Sequence, residues 1–359
     1  MKAAIFHKVN EPLAIEDVDI DKPIDREVLV RTMASGVCHS DLHIAEGTSV
    51  QPPPFLLGHE SAGIVESVGP GVTYVKPGDR VITCPSLFCG QCRQCLSGHP
   101  NLCSNRPARA QGQPPRLSLR GTPVGHYAGI GSFAERMLVH ENSLVKIDND
   151  IPFDIAAVFG CTITTGVGAV LNTAKIEPGS AVAIFGAGGV GLAAIQGARI
   201  GGARTIIAID LNEARLKMAV KMGATHTINP TTQDPVKAIR DLTGDGVDYS
   251  FEAIGIKKVA EQAFEVLRPT GVATLIGVMP VGVKLELDAR ALLMEKKMQG
   301  SQMGSNRFRI DLPRYIDFYR QGRLKLDDMI TNRRKLKDVN EAFRAMKAGD
   351  GARSVLLFD

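Results

Sequence analysis

Residues 181–191 read AVAIFGAGGVG, in which five apolar residues lead into a turn rich in glycine. A short apolar run that ends at a turn predicts a buried β-strand. The residues after the turn predict a helix from Val190 to about Ile200, and the next apolar run, TIIAID, predicts a second strand that ends at Asp210. Strands that alternate with helices are typical of βαβ units, so we predict an α/β domain with a parallel sheet.

The turn matches the pattern G-x-G-x-x-G between a predicted strand and a predicted helix. In that context glycines permit a tight turn, and they let the backbone approach a pyrophosphate at the helix N-terminus, where free N–H groups favour anions. A turn that only packs helix against strand is the alternative. We predict that a dinucleotide binds at Gly186, Gly188, Gly189, Val190 and Gly191.

Asp210 stands nineteen residues after Gly191, at the end of the second predicted strand. This is close to the spacing of about 20 residues expected for an acid that binds the adenosine ribose. Its carboxylate would accept hydrogen bonds from both ribose hydroxyls and would repel a 2′-phosphate, which favours NAD over NADP. Arg215 is the first basic residue that follows, and we place it among the cofactor-binding residues.

The predicted elements divide the chain near residue 155. The first part is rich in short strands, predicted at 28–33, 61–68, 80–83 and 133–139. It also contains a long irregular stretch at 104–131, and loops of this length are usually functional or lie at an interface. The second part continues with a helix at 213–222, strands at 226–228, 247–252 and 272–278, helices near 311–321 and 338–348, and a last strand at 354–358.

Composition limits the classes of function. A chain of 359 residues suggests about two domains. The net charge of +4 is spread along the sequence rather than clustered, so nucleic-acid binding is not supported. No window reaches the ~18 uninterrupted apolar residues of a membrane helix. The first residues, MKAAIFHKVN, lack the features of a signal peptide, and we expect a cytoplasmic protein without a membrane partner.

Four cysteines follow the spacing C-x2-C-x2-C-x7-C, namely Cys89, Cys92, Cys95 and Cys103. Four thiolates this close in sequence can converge on one tetrahedral centre, and a site with four Cys ligands is a closed, structural zinc site. A disulfide framework does not suit a long chain with seven cysteines. An iron–sulfur cluster also takes four thiolates, but its bacterial motif has Pro after the last cysteine, where this chain has Ser104.

Cys38, Cys84 and Cys161 remain outside this tetrad. Two cysteines with a histidine such as His59 form a ligand set for a catalytic zinc that keeps one open position. These residues are far apart in sequence, so their spacing does not establish a site. Taken singly, a cysteine is more often a small buried apolar residue and a histidine more often a hydrogen-bonded structural residue.

Several motifs occur together in one order: GHExxGxVxxVG at 58–69, GDRV at 78–81, the cysteine tetrad, GAGGVG and Asp210. In this combination the chain resembles the zinc-dependent medium-chain alcohol dehydrogenases over nearly its whole length. The resemblance implies a GroES-like, β-rich catalytic domain formed by residues 1–155 and 300–359. A Rossmann domain with a doubly wound parallel sheet, at 156–299, would bind NAD.

The resemblance also implies two zinc ions per subunit. Cys38, His59 and Cys161 match the ligands of the catalytic zinc, and the tetrad matches the structural zinc. The implied reaction is reversible hydride transfer between a primary or secondary alcohol and NAD, which gives an aldehyde or a ketone. Relatives extend the Rossmann sheet across a subunit interface, so we expect a homodimer or a homotetramer.

Further roles follow from the same resemblance. Ser40 matches a hydroxyl beside the zinc, and the alternative is a turn residue. His43 matches the surface base of a proton relay, and the alternative is a solvated surface histidine. Asp41 matches the carboxylate that holds the zinc-bound histidine; the alternative is a surface acid. Glu60 matches a residue behind the metal; the alternative is an ion-pair partner.

The remaining assignments concern the cofactor and the substrate. His39 and Arg353 match pyrophosphate contacts, and a solvated surface charge is the alternative for Arg353. Cys84 matches no ligand position and reads as a packing residue. The substrate pocket is predicted to be mostly apolar, which favours a medium-sized hydrophobic alcohol. Its predicted lining is Pro85, Leu87, Tyr127 and Val278, and Val278 is also counted with the cofactor-binding residues.

Other functions are open at this point. Residues 244–252, GDGVDYSFE, resemble the glutathione-dependent formaldehyde dehydrogenase branch. That branch anchors glutathione with an acid before the GHE motif and an arginine after the tetrad. Here residues 48–50 contain no acid, and Arg106 is followed by Pro107. A polyol dehydrogenase would need polar pocket residues. A non-catalytic zinc protein would be expected to lose the ligands or the glycine turn.

Overall fold

The computed structural model describes all 359 residues. Unit 1 comprises Met1–Cys161, Arg307–Ile316 and Leu326–Asp359, and unit 2 comprises Thr162–Asn306 and Asp317–Lys325. The predicted boundaries differ from these units in two places. Residues 156–161, predicted in the Rossmann domain, lie in unit 1, and residues 300–306 and 317–325, predicted in the catalytic domain, lie in unit 2. Hydrogen bonds explain the second difference, because Lys325 N donates to Gln196 Oε1 at 2.6 Å and the hydroxyls of Thr173 and Ser305 are 2.7 Å apart.

Twenty strands occur along the chain. The first twelve are β1 Lys2–Phe6, β2 Ala14–Asp17, β3 Asp19–Ile20, β4 Glu27–Val37, β5 Phe55–Leu56, β6 Glu60–Val68, β7 Arg80–Thr83, β8 Leu117–Leu119, β9 Thr122–Pro123, β10 Gly125–His126, β11 Arg136–His140 and β12 Leu144–Ile147. The remaining eight are β13 Ala181–Phe185, β14 Thr205–Ile209, β15 His226–Ile228, β16 Val247–Glu252, β17 Leu267–Leu275, β18 Lys297–Gly300, β19 Ile330–Lys335 and β20 Arg353–Leu357.

Eleven α-helical segments connect them. They are α1 His39–Ala45, α2 Arg93–Leu96, α3 Phe153–Val158, α4 Thr164–Gly168, α5 Gly189–Ile200, α6 Glu213–Met222, α7 Pro235–Thr243, α8 Lys257–Glu265, α9 Ala289–Leu293, α10 Phe308–Arg320 and α11 Val339–Lys347. Short 3₁₀ segments lie at Pro100–Leu102, Tyr127–Gly129, Glu141–Ser143, Gln302–Ser305 and Leu336–Asp338, and π-helical segments at Phe159–Ile163 and Ala169–Ala174.

Unit 2 contains a six-stranded parallel sheet in the order β15-β14-β13-β16-β17-β18. Counted from its own first strand this order is 3-2-1-4-5-6, the doubly wound arrangement in which a dinucleotide binds at the carboxyl ends of the strands. Its strands are apolar and buried on both faces, as the consecutive residues Ile184 and Phe185 of β13 show. The sequence prediction of a parallel α/β sheet is therefore confirmed.

Helix α6 shows how local sequence sets the ends of an element. The Asn212 side chain caps its start by accepting hydrogen bonds from the backbone N–H groups of Ala214 and Arg215. Gly223 ends the helix with a φ of 117°, a left-handed conformation that glycine adopts without a steric penalty. Such caps contribute about 1 kcal/mol each, and the predicted bounds 213–222 match the helix.

Unit 1 is built on a seven-stranded sheet. Six of its strands follow the order β12-β7-β6-β4-β20-β19, and the seventh, β11, also pairs with β4. The long strand β4 is therefore the centre of the unit. Two smaller sheets, β10-β5-β1-β2 and β3-β8-β9, pack near it. The C-terminal strand β20 pairs antiparallel with β4, so the end of the chain completes the sheet that carries the N-terminal motifs.

The stretch 104–131 was predicted to be irregular. That prediction is partly wrong, since the strands β8, β9 and β10 lie within the stretch. Its fold depends on the buried carboxylate of Glu27, which accepts hydrogen bonds from Arg109 Nη2 at 2.6 Å and from Arg116 Nε at 2.7 Å. Two arginines thus share one buried acid, an arrangement that sequence spacing does not reveal.

The run Phe153–Ala174 is the one helix long and apolar enough to cross a membrane by length and composition. Of its most apolar 18-residue window, 83% is buried inside the protein, as is typical of a core helix. A helix that is apolar on all sides shows no 3.6-residue periodicity, so the apolar pattern of this run does not predict a helix.

Candidate active site

Cys38, His59 and Cys161 come together in unit 1, although they belong to three different elements. Cys38 follows β4 and caps α1, His59 directly precedes β6, and Cys161 lies in the π-helical segment Phe159–Ile163. Their candidate ligand atoms all lie within 4.8 Å of one another, and all three side chains are buried. We call them the buried trio. Two thiols and one imidazole are donors that suit zinc.

Asp41 positions two members of the trio. Its Oδ1 lies 3.1 Å from His59 Nδ1 and accepts a hydrogen bond from Gly58 N at 2.9 Å. Its Oδ2 accepts from Cys38 N at 3.2 Å. With Nδ1–H donating to a carboxylate, the lone pair of His59 is on Nε2, which is the atom left for a metal. Asp41 is fully buried, so it is not a surface acid.

The electrostatics of the buried trio correspond to a site built for a cation. Burial lowers the pKa of His59, but the Asp41 carboxylate and Cys38 raise it, and the resulting pKa is about 10. A hydrogen bond between the two thiols lowers the pKa of Cys38 well below its ordinary value and raises the pKa of Cys161 well above it. Two adjacent buried thiols cannot both ionise unless a cation lies between them.

Ser40 and His43 both lie on α1, Ser40 in its first turn and His43 in its last. Ser40 Oγ lies 3.8 Å from Cys38 Sγ. The Tyr127 ring packs edge-on against the His59 ring, with centroids 4.8 Å apart. Both Ser40 and His43 are half-buried. Tyr127 was predicted in the substrate pocket, but its contact with His59 has no signal in the sequence.

Glu60, the residue after His59, forms a buried ion pair with Arg353. Gly36 leaves room for this carboxylate, because a Cβ at Gly36 would lie 2.8 Å from Glu60 Cδ. Arg353 is therefore not the solvated surface charge that was the alternative for it. The pyrophosphate contact assigned to Arg353 stays a prediction, as does that of His39, which is exposed at the start of α1.

The four tetrad cysteines also converge. Cys89 Sγ and Cys95 Sγ are 3.9 Å apart, Cys92 Sγ and Cys95 Sγ 3.5 Å, and Cys92 Sγ and Cys103 Sγ 3.8 Å. Zinc with four bonds of about 2.3 Å to sulfur needs separations of about 3.8 Å. Backbone N–H groups, that of Cys95 first, lower the pKa of Cys92 to about 5, so a thiolate is favoured. The tetrad therefore fits a four-coordinate zinc.

The glycine turn lies in unit 2 between β13 and α5. Gly186 has a φ of +94°, and a Cβ at Gly191 would lie 1.8 Å from Gly186 O, so neither position accepts a side chain. A Cβ at Gly188 would meet nothing within 4 Å. The open space at Gly188, where α5 begins, is where the backbone can approach a pyrophosphate.

Asp210 follows β14 and braces this turn. Its Oδ2 accepts a hydrogen bond from Ala187 N at 2.7 Å, and its Oδ1 accepts one from Asn212 N at 2.9 Å. Each carboxylate oxygen keeps a second lone pair for a ribose hydroxyl. Arg215 Nη1 lies 4.0 Å from Asp210 Oδ2, which places a cation beside this carboxylate.

Two other residues singled out in the sequence have clear positions. Cys84 is fully buried, and burial raises the pKa of its thiol to about 12, in keeping with a packing role. Val278 is exposed in the loop after β17. The strand was predicted to continue to residue 278 but ends at Leu275, because Ile276 N and Gly277 N both donate to the carbonyl oxygen of Glu252.

Two family models match the chain. Residues 24–149 match the alcohol dehydrogenase GroES-like domain, and residues 189–321 match the zinc-binding dehydrogenase domain. The chain belongs to the zinc-dependent alcohol dehydrogenases of the medium-chain family. The resemblance predicted from the sequence motifs is confirmed, and so is the fold class with a GroES-like part and a Rossmann part.

Individual relatives agree with this assignment. The S-(hydroxymethyl)glutathione dehydrogenase of Paracoccus denitrificans is 40% identical over 99% of both chains. The crystal structure of an alcohol dehydrogenase zinc-binding domain protein from Burkholderia ambifaria has a TM-score of 0.95 at 36% identity, with 100% of this chain and 98% of that chain covered. Benzyl alcohol dehydrogenase from Acinetobacter calcoaceticus has a TM-score of 0.94 at 33% identity, with 100% and 99% covered.

Proposed function

We propose that this protein is an NAD-dependent alcohol dehydrogenase that carries a catalytic zinc at Cys38, His59 and Cys161 and a structural zinc at the tetrad. The buried trio is the observation that carries the proposal. It offers three protein donors within 4.8 Å of one another, and a four-coordinate zinc would keep one position for a substrate oxygen.

Zinc at the trio supplies Lewis-acid polarisation of a substrate oxygen, and NAD at the glycine turn supplies the hydride acceptor. Asp41 keeps the proton on Nδ1 of His59 and so keeps Nε2 a ligand. Ser40 Oγ, beside Cys38, would accept the hydroxyl proton of the alcohol while it releases its own proton towards the nicotinamide ribose, and His43 would pass that proton on to solvent. His39, Arg353 and Val278 are proposed as further cofactor contacts.

Metal analysis provides the first prediction. Zinc measured by inductively coupled plasma mass spectrometry should give about two ions per chain, because the trio and the tetrad are separate donor sets. Cadmium or cobalt substitution should show thiolate charge-transfer bands from both sets. A ratio of one or less in freshly purified protein would contradict the proposal of two sites.

Cofactor preference provides the second prediction. Asp210→Gly should narrow the ratio of kcat/KM for NAD over NADP by about tenfold or more, since it removes the charge that repels a 2′-phosphate. Asp245→Gly is the matched control, because Asp245 is an exposed acid on the loop before β16, at the opposite end of the strands. If the ratio is unchanged in Asp210→Gly, Asp210 does not contact the ribose.

The substrate class is proposed as a medium-sized hydrophobic primary or secondary alcohol, with an aldehyde or ketone as product. Support comes from Leu87, which is buried in unit 1, and from Tyr127 beside His59. A panel of alcohols and carbonyl compounds, followed by NADH absorbance, tests this. Activity confined to polyols would favour the polyol alternative, and no turnover by zinc-loaded protein would favour a non-catalytic zinc protein.

S-(Hydroxymethyl)glutathione belongs in the same panel, because a relative at 40% identity carries the name of that activity. The missing acid at 48–50 predicts a kcat/KM for this adduct below that of an apolar alcohol such as benzyl alcohol. The reverse order would identify glutathione adducts as the substrate and would mean that other residues bind the glutathione carboxylates.

A cytoplasmic homodimer or homotetramer is proposed as the working form. Strand β18 pairs only with β17, so one edge of the parallel sheet has unpaired backbone groups. Near it in sequence, Leu292, Leu293 and Met294 are exposed, which is unusual for three consecutive apolar residues. Light scattering on a size-exclusion column measures the oligomer, and a monomeric mass would contradict the proposal.

A further inference from the structure

Glu252 is a fully buried acid to which the proposed mechanism gives no task. It is the last residue of β16, in the middle of the sheet of unit 2. Its Oε1 accepts hydrogen bonds from Ile254 N at 2.9 Å and from Gly255 N at 2.6 Å. Its Oε2 is buried and accepts no hydrogen bond. One side chain thus holds the turn that follows the strand.

The same carboxyl lies against a second loop, which follows β17. A Cβ at Gly277 would lie 2.6 Å from Glu252 Oε2 and 2.1 Å from Gly255 N. A Cβ at Gly255, where φ is +92°, would lie 2.4 Å from Val278 O. The loops 253–256 and 276–278 therefore pack backbone against backbone around Glu252, and only glycine fits at the two contact points.

These two loops follow the strands β16 and β17, at the end of the sheet where a dinucleotide would bind. Strand β13 lies between β14 and β16, and the glycine turn follows β13. Asp210, the proposed ribose contact, follows β14 on one side. The other half of the cofactor must then extend towards the ends of β16 and β17. Ala253 N donates to Phe185 O at 2.9 Å, so the first loop is also joined to the start of the glycine turn.

We propose that Glu252 is a positioning residue for the nicotinamide half of the cofactor, since it fixes loops 253–256 and 276–278 in one arrangement. The inference rests on the proposed NAD-dependent function. Burial raises the pKa of Glu252, and the N–H groups of Gly255 and Ile254 oppose that rise, so burying this acid has a cost that apolar packing would avoid.

If Glu252 only stabilised unit 2, its loss would weaken the binding of both halves of the cofactor. If Glu252 is a positioning residue, its loss should weaken the binding of the nicotinamide half alone. The test measures the Kd of NADH and of ADP by titration calorimetry on zinc-loaded protein. ADP contains the adenosine and pyrophosphate parts but no nicotinamide. For Glu252→Ala we expect NADH to bind about tenfold weaker or worse and ADP to bind within about twofold of the wild type.

Two variants complete the design. Glu252→Gln keeps an oxygen that can accept from Ile254 N and Gly255 N, and it should restore most of the NADH affinity. Ser250→Ala is the matched control, because Ser250 is buried on the same strand and donates to Ala263 O in helix α8 rather than to a loop. It should lower the melting temperature and leave the ratio of the two affinities unchanged.

Equal losses of NADH and ADP affinity, or no loss of either, would overturn the inference. If Glu252→Ala does not fold, Glu252→Asp replaces it, because its carboxylate is one methylene too short to reach Gly255 N, and the same ratio is measured. Wild-type protein that binds neither NADH nor NADPH would refute the proposed function itself. Wild-type binding with an unchanged ratio in the variant would refute only the role of Glu252.

Discussion

Cys161→Ala is expected to reduce turnover at least about a thousandfold, because it removes one of three donors and with it the Lewis acid. The tetrad lies in a different part of unit 1 and should keep its metal. We therefore expect one zinc per chain, a folded protein by circular dichroism, and no measurable oxidation of any alcohol that the wild type uses. Steady-state NADH absorbance and metal analysis on the same preparation check both results.

Cys84→Ala is the matched control for this substitution. Cys84 is as deeply buried as Cys161, and its replacement leaves a similar cavity, but it belongs to neither donor set. It should keep about two zinc ions and its activity, so that a loss in Cys161→Ala cannot be attributed to cavity formation. Activity at the wild-type level in Cys161→Ala would show that Cys161 is not a ligand.

Cys103→Ala is expected to release the structural zinc and to unfold the tetrad lobe, residues 89–103. The lobe contains two large apolar side chains, Leu96 and Leu102, which are 74% and 47% exposed. It therefore has no apolar core that could hold it without metal. Binding of structural zinc contributes about 10–16 kcal/mol in small zinc domains, so the loss of one thiolate should be decisive for this segment.

Limited proteolysis measures this effect directly. Trypsin should cut after Arg93 in Cys103→Ala and leave that bond intact in the wild type and in Cys161→Ala, whose tetrad is complete. The two cysteine variants should thus each retain one zinc but differ in lobe protection. Two zinc ions and a protected lobe in Cys103→Ala would exclude Cys103 as a ligand.

The sequence predicted secondary structure best where the signal is local. The strand β7 and the helix α6 have the predicted bounds, because apolar pattern and capping residues act over a few positions. Strand β4 extends beyond its predicted end at 33 to Val37, since pairing with β6 and β20 continues past the apolar run. The run Phe153–Ala174 was not predicted, because helices buried on all sides have no periodic pattern.

In the candidate site, too, local features were predictable and contacts between distant residues were not. The interpretation of Asp41 came from family resemblance, and the contact of its carboxylate with His59 depends on the packing of α1. The ion pair of Glu60 with Arg353 joins β6 to β20 across nearly the whole chain length, and no spacing rule connects them. The arginines that bind Glu27 were also not predicted, because the stretch 104–131 has no periodic signal.

The sequence by itself determined the glycine turn and the cysteine tetrad. In both, the functional atoms are within about fifteen residues of one another, so short-range geometry decides where they point. Only the tertiary structure brought Cys38, His59 and Cys161 together, since they are separated by 21 and 102 residues. Ligands this distant meet because sheet pairing and helix packing position their backbones, and those depend on contacts from the whole of unit 1 rather than on any local motif.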